Sequence, residues 1–215
     1  GDTGIIYTMK KHPEWRIPYI FDAETLVTSA RQINFWAKRG AVGAVLAREV
    51  PFEEMKAMEE KLNVPVEILV YGATCIHQSK RPLLQNYYHF TKQEERVDRD
   101  RGLFISEPKK DDTHYSIYED THGTHIFASN DINLSKELGL LYQHQFRTWK
   151  LDGLFTPGEN FVKITKAFVE AKEQILAGTW NEESAEILSK KISKLHPQNR
   201  ELDTGFFYID PEAIK

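Results

Sequence analysis

The sequence predicts an α/β protein with a parallel β-sheet, because strand-like and helix-like segments alternate along its first third. Apolar runs at 17–21, 42–47 and 66–71 have the length and residue types of strands. Helical patterns at 29–39 and 51–62 lie between them. Short links between such alternating segments are typical of parallel strands joined by helices.

Both predicted helices have clear start and stop signals. Ser29 and Gln32 have the spacing of a capping box, and Gly40 follows the last periodic residue. Pro51 suits the first position of the second helix, whose Met55 is expected to face the core. These signals support two helices that alternate with the three strands.

Beyond residue 108 the pattern changes to a hairpin followed by helices. Segments 114–119 and 124–129 flank a turn at Gly123, which predicts two antiparallel strands. A short helix is expected at 134–142 and a strand at 146–151.

Two more helices are predicted near the end of the chain. Thr156 is expected to cap the first, with Pro157 at its first position and Gly178 after its end. The second is expected at 183–195.

Composition excludes several classes of protein. The 215 residues are 40% hydrophobic and 12% aromatic, which predicts one domain with a substantial core. The net charge of −4 excludes a globally basic nucleic-acid binder. The single cysteine excludes an intrachain disulfide and is typical of a cytoplasmic protein.

No apolar run approaches the roughly 20 residues of a membrane helix, so we expect no membrane partner. The chain begins without Met, and we expect an upstream portion to be missing.

A spaced motif runs from residue 67 to residue 108. It resembles the motif of the collagenase-like peptidases, peptidase family U32. The matching positions are Glu67, Gly72, Cys75, Ser79, Arg81, Leu83, Arg101 and Gly102. A second run similar to the family's comprises Glu119, Asp120, Gly123, Thr124, Ile126, Ser129 and Asp131.

The resemblance implies a (β/α)8 TIM-type barrel. Counted on the family, this chain starts near the end of the fourth strand, so the first three β/α units would be absent. The family also implies a β-hairpin insertion after the seventh strand, here at about residues 73–133. We therefore expect residues 1–215 to form a single partial barrel domain.

The family's four cysteine positions are mostly substituted. They fall on Cys75, Pro82, Phe104 and Pro108, so three thiolates are missing. One thiolate cannot hold an iron–sulfur cluster, and we expect no cofactor. The family's K-I-E-G-R motif also lacks its arginine, because Leu154 follows Gly153 here.

Charged and polar side chains collect at the predicted strand ends, where a barrel carries its chemistry. Alternation along the strands is expected to turn several of them inward, with Arg48 and Glu67 in one polar site. Two interpretations stay open: a binding site, or an ionic network that only orders the barrel. The candidates are Arg48, Glu49, Glu67, Tyr71, Lys150 and Asp152.

Two other constellations could carry chemistry. Cys75 would need a base to act as a nucleophile, and His77 is the nearest in sequence, but the favoured interpretation is an inert thiol left in a loop. His122 and His125, with Glu119 and Asp120, could bind a metal at the hairpin, but a turn with solvent-facing imidazoles explains them as well, and we expect no metal.

The stretch from residue 80 to residue 101 interleaves basic and aromatic residues. Lys80, Arg81 and Arg101 are candidate RNA contacts, since phosphates bind cations while bases stack on aromatic rings. A solvated loop with an aromatic anchor is the alternative.

The resemblance implies two activities. Family members are labelled peptidases, and some assist hydroxylation of the tRNA wobble uridine as pairs of unequal subunits. We expect a cluster-free partner of a cysteine-containing paralogue, with tRNA as substrate. The alternatives are a stand-alone collagenase-like hydrolase and a structural subunit without an active site. An incomplete barrel would also leave unpaired strand edges, which predicts a homo-oligomer.

Overall fold

The structure is a computed structural model and describes residues 2–23 and 26–214. The helices are α1 (Thr3–Lys11), α2 (Ala30–Ala37), α3 (Phe52–Met58), α4 (Leu83–Thr91), α5 (Leu138–Gln143), α6 (Gly158–Leu176) and α7 (Glu182–Leu195). The strands are β1 (Tyr19–Phe21), β2 (Ala41–Val45), β3 (Val66–Gly72), β4 (Cys75–Ser79), β5 (Phe104–Glu107), β6 (Lys110–Asp120), β7 (Gly123–Phe127), β8 (Asn130–Asn133), β9 (Thr148–Leu151) and β10 (Glu201–Asp203).

The larger sheet contains the parallel strands that the sequence predicts. β1, β2 and β3 pair in parallel, and β9 joins the other side of β3, also in parallel. The end of β3 pairs antiparallel with β8, which in turn pairs parallel with β10. The α/β class is confirmed, whereas the strands of the described residues do not close into a barrel.

A continuous hydrophobic core lies between this sheet and its helices. Its fully buried side chains come from α2, β3, α5, α6 and α7, and burial of each contributes about 1.5–3 kcal/mol relative to exposure. They include Ile33, Val70, Leu138, Leu141, Ile164 and Ile192. The predicted inward position of Met55 on α3 is confirmed, because only 2% of it is exposed.

A second, antiparallel sheet is inserted between β3 and β9. Its order is β4-β7-β6-β5, and α4 packs against it. The predicted hairpin is present as β6 and β7. Gly123 has a φ of +114°, and a Cβ there would meet the carbonyl oxygen of Ser79 at 2.0 Å. The inserted sheet has four strands, β4 to β7, and its last strand along the chain ends at Phe127; the expected bounds of the insertion, about residues 73–133, stay a prediction.

Helix α4 occupies part of the stretch for which a solvated loop was one of two interpretations. Its first turn is capped by a side chain from β6. Glu119 accepts hydrogen bonds from the backbone N–H groups of Leu84 at 2.9 Å and Gln85 at 3.0 Å. Thr124 donates to the same carboxylate at 2.7 Å. The buried Glu119 carboxylate thus satisfies N–H groups that a helix start leaves unpaired.

Ile5 lies in α1, whose first turn is capped by the Asp2 carboxylate. One capping prediction was wrong. Thr156 was expected to cap α6, but its hydroxyl contacts the Tyr71 hydroxyl at 2.8 Å, and Pro157 occupies the cap position. Within the part of the chain that the structure describes, no helix combines the length and apolarity needed to cross a membrane.

Candidate binding cavity at the strand ends

A cavity of about 280 Å³ lies where β2, β3 and β9 end and the inserted sheet begins. Apolar side chains such as Val45, Leu69 and Phe127 form part of its wall. Its polar lining residues are Asp22, Arg48, Cys75, Gln78, His125, Lys150 and Asp152. Three of the sequence-predicted candidates, Arg48, Lys150 and Asp152, therefore meet in one cavity.

The register of two parallel strands explains why Lys150 faces this cavity. Leu69 on β3 pairs with Lys150 on β9, so both side chains lie on the same face of the sheet. Gly72 then allows β9 to approach closely, because a Cβ at this residue would lie 2.2 Å from the carbonyl oxygen of Asp152. The Asp152 carboxylate is oriented in turn by the backbone N–H of Leu154, which donates to it at 2.8 Å.

Arg48 joins the parallel sheet to the inserted sheet. Its Nη2 donates to the backbone carbonyl of Cys75, at the start of β4. Its Nε lies 3.6 Å from a carboxylate oxygen of Glu49 and forms no hydrogen bond with the residues that the structure describes. Glu49 therefore contacts Arg48 but is not among the residues that line the cavity.

Tyr71 was expected to face inward with Lys150, and this was wrong. A register shift between Leu69 and Tyr71 turns the ring to the helix side of the sheet. There it lies 6.2 Å from the ring of Phe168 on α6. Tyr71 is fully buried and belongs to the packing between sheet and helices.

Glu67 lies earlier on β3 than the cavity. It pairs in register with Val45 on one side and with Thr148 on the other. The residues that line the cavity do not include it. A shared polar site of Arg48 and Glu67 stays a prediction.

The thiol of Cys75 lies on the cavity wall together with His125 rather than with His77. Cys75 Sγ donates to the backbone carbonyl of His77 at 3.4 Å. His125 Nε2 lies 3.0 Å from Asp120 Oδ1, and its ring stacks on Tyr118. The His125 contact lowers the pKa of Asp120, which keeps that carboxylate ionised beside the imidazole.

His122 and His125 in the hairpin were candidate metal ligands. The described residues contain no group of three or more His, Cys, Asp or Glu side chains arranged to hold a metal ion. His122 lies in the exposed turn, where its backbone N–H donates to Asp120.

The family's cluster positions do not fit an iron–sulfur cluster in this chain. Cys75 supplies one sulfur, Pro82 precedes α4, and Phe104 packs edge-on against His114 at 4.5 Å. Pro108 completes the four positions and also has no donor atom. Four thiolates are the usual ligand set, so no step of the chemistry is assigned to a cluster.

The candidate RNA contacts differ in their surroundings. Arg101 forms two hydrogen bonds with Glu95, at 2.8 and 2.9 Å, which neutralises its charge. Lys80 and Arg81 are exposed between β4 and α4. The three cations are therefore not equivalent: within residues 2–23 and 26–214, no such carboxylate pair is found for Lys80 and Arg81, which present their charge to solvent.

A buried polar network that the sequence analysis did not assign lies behind the cavity, on the helix side of the sheet. Tyr71 Oη lies 2.9 Å from His196 Nδ1, and His196 Nε2 lies 3.7 Å from Asp131. Arg200 forms bidentate hydrogen bonds with Asp131. Asp131 belongs to the second run of residues that resembles the family, and this resemblance could have drawn attention to it. Nothing in the sequence around His196 and Arg200 indicated which residues they contact.

Comparison with known proteins adds the following. The sequence profile described as "Peptidase family U32" matches residues 1–215. The chain is 32% identical over 213 residues to the tRNA hydroxylation protein P2 of Bacillus subtilis, covering 97% of this chain and 68% of that protein. No solved structure matches the chain.

Two further relatives match over smaller shares of their own length. An uncharacterized protease of Methanocaldococcus jannaschii is 26% identical over 194 residues, which are 86% of this chain and 45% of that protein. The tRNA hydroxylation protein P1 of B. subtilis is 33% identical over 98 residues, which are 46% of this chain and 21% of that protein.

Proposed function

The chain belongs to peptidase family U32, and we propose that it acts, without an iron–sulfur cluster, in hydroxylation of the tRNA wobble uridine. The single observation that carries the proposal is its 32% identity to a tRNA hydroxylation protein over 97% of this chain. Its partner would be a cysteine-containing paralogue. Two B. subtilis relatives, named P1 and P2, indicate that paralogues with this role coexist in one organism.

The proposal includes the architecture. The strands β1, β2, β3 and β9 would be the fifth to eighth strands of a (β/α)8 barrel, with the inserted sheet after the seventh. Their parallel pairing and the position of the insertion after β3 support this assignment. The full-length protein would work in the cytoplasm, where thiols such as that of the chain's single cysteine stay reduced.

In this proposal the cavity at the strand ends is the binding site. Its volume is close to the lower end of the range of roughly 300–1,000 Å³ that ligand pockets span. Lys150 and Arg48 supply cationic donors, and Asp152 supplies an oriented acceptor. Such a lining suits a compact polar ligand with both donors and acceptors, which is the chemistry of a pyrimidine ring.

Complementation tests the proposal. The full-length protein would be expressed in B. subtilis lacking its tRNA hydroxylation protein P2, and hydroxylated uridine would be quantified in digested tRNA by mass spectrometry. We expect restoration by the wild type and a loss of about tenfold with Lys150→Ala, because one charged contact is worth roughly 1.4 kcal/mol or more. Lys163→Ala, an exposed lysine on α6, is the matched control.

If the protein is expressed and folded in this strain but restores no hydroxylated uridine, the proposed function is contradicted. Unchanged hydroxylation with Lys150→Ala would instead support the alternative of a structural subunit without an active site.

A stand-alone peptidase is the second candidate, and one observation favours it. Cys75 and His125 line the same cavity, and Asp120 holds the imidazole at 3.0 Å, as in a nucleophile–base–orienter arrangement. One relative carries the name of a protease. The thiol, however, donates to the His77 carbonyl, so this arrangement ranks below tRNA hydroxylation.

A further inference from the structure

A second cavity, called the flanking cavity below, lies between the inserted sheet and the C-terminal segment. Its walls come from residues 99–104, 114–118, 155 and 199–200, and its volume is about 440 Å³. That volume is within the range of roughly 300–1,000 Å³ that ligand pockets span. Four of its lining residues carry aromatic rings and two are arginines, and among the described residues that line it none is acidic.

The flanking cavity is built without the open edges of the larger sheet. None of the described residues that line it belongs to β1 or β9, the strands at which upstream β/α units or a second copy would pair. Its walls include β5, β6 and the turn before β5. The backbone N–H groups of Ile117 and Glu119 on β6 donate to the carbonyls of Leu103 at 3.0 Å and Val97 at 2.7 Å, which fixes that turn against the sheet.

Aromatic rings separate the flanking cavity from the strand-end cavity. Tyr118 lines the former and Phe127 the latter, and their rings stack at 5.7 Å. Phe155, also in the flanking cavity, packs edge-on against Phe127 at 5.0 Å. Burial raises the pKa of Tyr118, and Asp120 adds to this shift while Arg99 opposes it, so the hydroxyl keeps its proton at neutral pH. Ligand groups in the two cavities would therefore be neighbours on the two sides of one aromatic wall.

Two flat surfaces in the flanking cavity suit the face of a nucleobase. Phe104 is 56% exposed, and its ring packs edge-on against His114 at 4.5 Å. The Arg200 guanidinium lies 4.4 Å from the centre of the Phe155 ring and is held there by its ion pair with Asp131. RNA bases that are not paired stack both on aromatic rings and on guanidinium planes.

Exposed polar groups of the same cavity suit the other parts of a nucleotide. Asn199 is exposed, and its amide can both donate and accept hydrogen bonds, as the edge of a base does. Arg99 Nε lies 3.9 Å from the carboxylate of Asp100, and both side chains are exposed, so this pair is weak. The charge of Arg99 can therefore neutralise a phosphate, unlike that of Arg101, which forms two hydrogen bonds with Glu95.

We propose that the flanking cavity binds one nucleotide of an RNA strand, next in the strand to the uridine held in the strand-end cavity. The base would stack on Phe104, and its phosphate would contact Arg99. The choice of an RNA strand rests on the proposed function in tRNA hydroxylation. A free mononucleotide has the same chemistry, and the experiment distinguishes the two sources.

Binding to RNA hairpins tests the proposal without requiring hydroxylation. The full-length protein would be titrated against a fluorescein-labelled hairpin with a uridine in its loop, and against two hairpins in which the nucleotide before or after that uridine lacks its base. We expect one of the two abasic hairpins to bind about tenfold more weakly, because a stacked base is lost. Phe104→Ala should bind the intact hairpin about tenfold more weakly, and the same abasic change should then have no further effect.

The phosphate contact is tested through the salt dependence of binding. Arg99→Gln should weaken binding of the intact hairpin and reduce the salt slope by about one phosphate contact. Lys163→Gln, at an exposed lysine of α6, is the charge control, and Ile187→Ala, at an exposed apolar residue of α7, is the control for Phe104→Ala. Both controls should bind like the wild type, and far-ultraviolet circular dichroism would verify that each variant is folded.

Equal effects of the abasic change on the wild type and on Phe104→Ala would overturn the proposal, as would equal affinities of Arg99→Gln and Lys163→Gln. If uridine monophosphate displaces the labelled hairpin as effectively as unlabelled hairpin does, the RNA strand is ruled out as the source of the nucleotide.

The flanking cavity and the proposed function can fail separately. Binding that depends on Phe104 and on the neighbouring base, by a protein that restores no hydroxylated uridine, would refute the proposed function and leave the cavity's role standing. Restored hydroxylation, with Phe104→Ala and Arg99→Gln binding every hairpin like the wild type, would refute the role of the cavity alone.

Discussion

Arg200 forms a bidentate ion pair with the carboxylate of Asp131, which lies 69 residues earlier in the chain. Its Nε donates to Oδ2 at 3.0 Å and its Nη2 to Oδ1 at 2.6 Å. The same guanidinium donates to Ser116 on β6 and to the carbonyl of Ala128, and lies over the ring of Phe155. One buried side chain therefore connects β8, the inserted sheet and the C-terminal segment.

Removal of one partner of this pair should be strongly destabilising. Asp131→Ala would leave the buried Arg200 charge uncompensated, and we expect the free energy of unfolding to fall by about 3–5 kcal/mol in urea denaturation. Glu170→Ala, which removes the exposed partner of Lys191, is the control and should cost about 1 kcal/mol or less. Similar losses in the two variants would show that the buried pair is not what joins the two sheets.

Stability should also depend on pH through His196. Burial lowers its pKa; Asp131 opposes this shift and Arg200 adds to it. Below about pH 6.5 the unfolded chain binds a proton that the folded histidine does not, so the free energy of unfolding should decrease as the pH falls.

Urea denaturation at about pH 7.5 and about pH 5.5 would measure this dependence. His196→Gln should reduce the difference between the two conditions, whereas His122→Gln, in the exposed turn, should not. Identical pH dependence in the wild type and in His196→Gln would rule His196 out as its source.

The parallel strands and most helices were predictable because their signals are local. The apolar runs and the Ser29 cap lie within the elements that they specify, and the Ser29 hydroxyl does accept from Gln32. Helix α4 was not assigned, since its cap, Glu119, lies 35 residues beyond Leu84. No pattern in residues 83–91 alone could reveal that partner.

The positions of two candidate residues were predictable for the same reason, and their role in binding stays a prediction. Lys150 and Asp152 follow from strand alternation near the sheet edge, and the cavity contains both. Tyr71 departs from alternation because the register shifts where Gly72 meets the backbone of Asp152. That contact joins residues 80 positions apart, so alternation within β3 could not indicate it.

The purified protein should not assemble an iron–sulfur cluster. Three of the four family ligand positions hold Pro82, Phe104 and Pro108, which have no atom that binds iron. After anaerobic reconstitution, iron and sulfide analysis should find neither in stoichiometric amounts. A cysteine-complete paralogue treated in parallel is the positive control. A charge-transfer absorption band with stoichiometric iron in this protein would contradict the prediction.

The protein alone should not cleave gelatin or denatured collagen. Its thiol donates to the His77 backbone carbonyl, which cannot activate it as a general base would. Incubation with labelled gelatin should give a rate equal to that of Cys75→Ala. Cleavage by the wild type that disappears in Cys75→Ala, but persists in Lys150→Ala, would favour the peptidase over tRNA hydroxylation.

The 215-residue chain expressed by itself should associate through its open sheet edges. Within the described residues, β1 pairs only with β2 and β9 only with β3, and Ile20 on β1 is 55% exposed. Unpaired backbone groups beside an apolar surface favour addition of another copy, most simply as a two-fold dimer. Light scattering at micromolar concentration should therefore give twice the chain mass of 25.0 kDa.

Ile20→Lys should shift the chain towards monomer by placing a charge at that edge, whereas Val169→Lys, equally exposed on α6, should not. A stable monomer of the unmodified chain would show that its edges do not recruit a second copy.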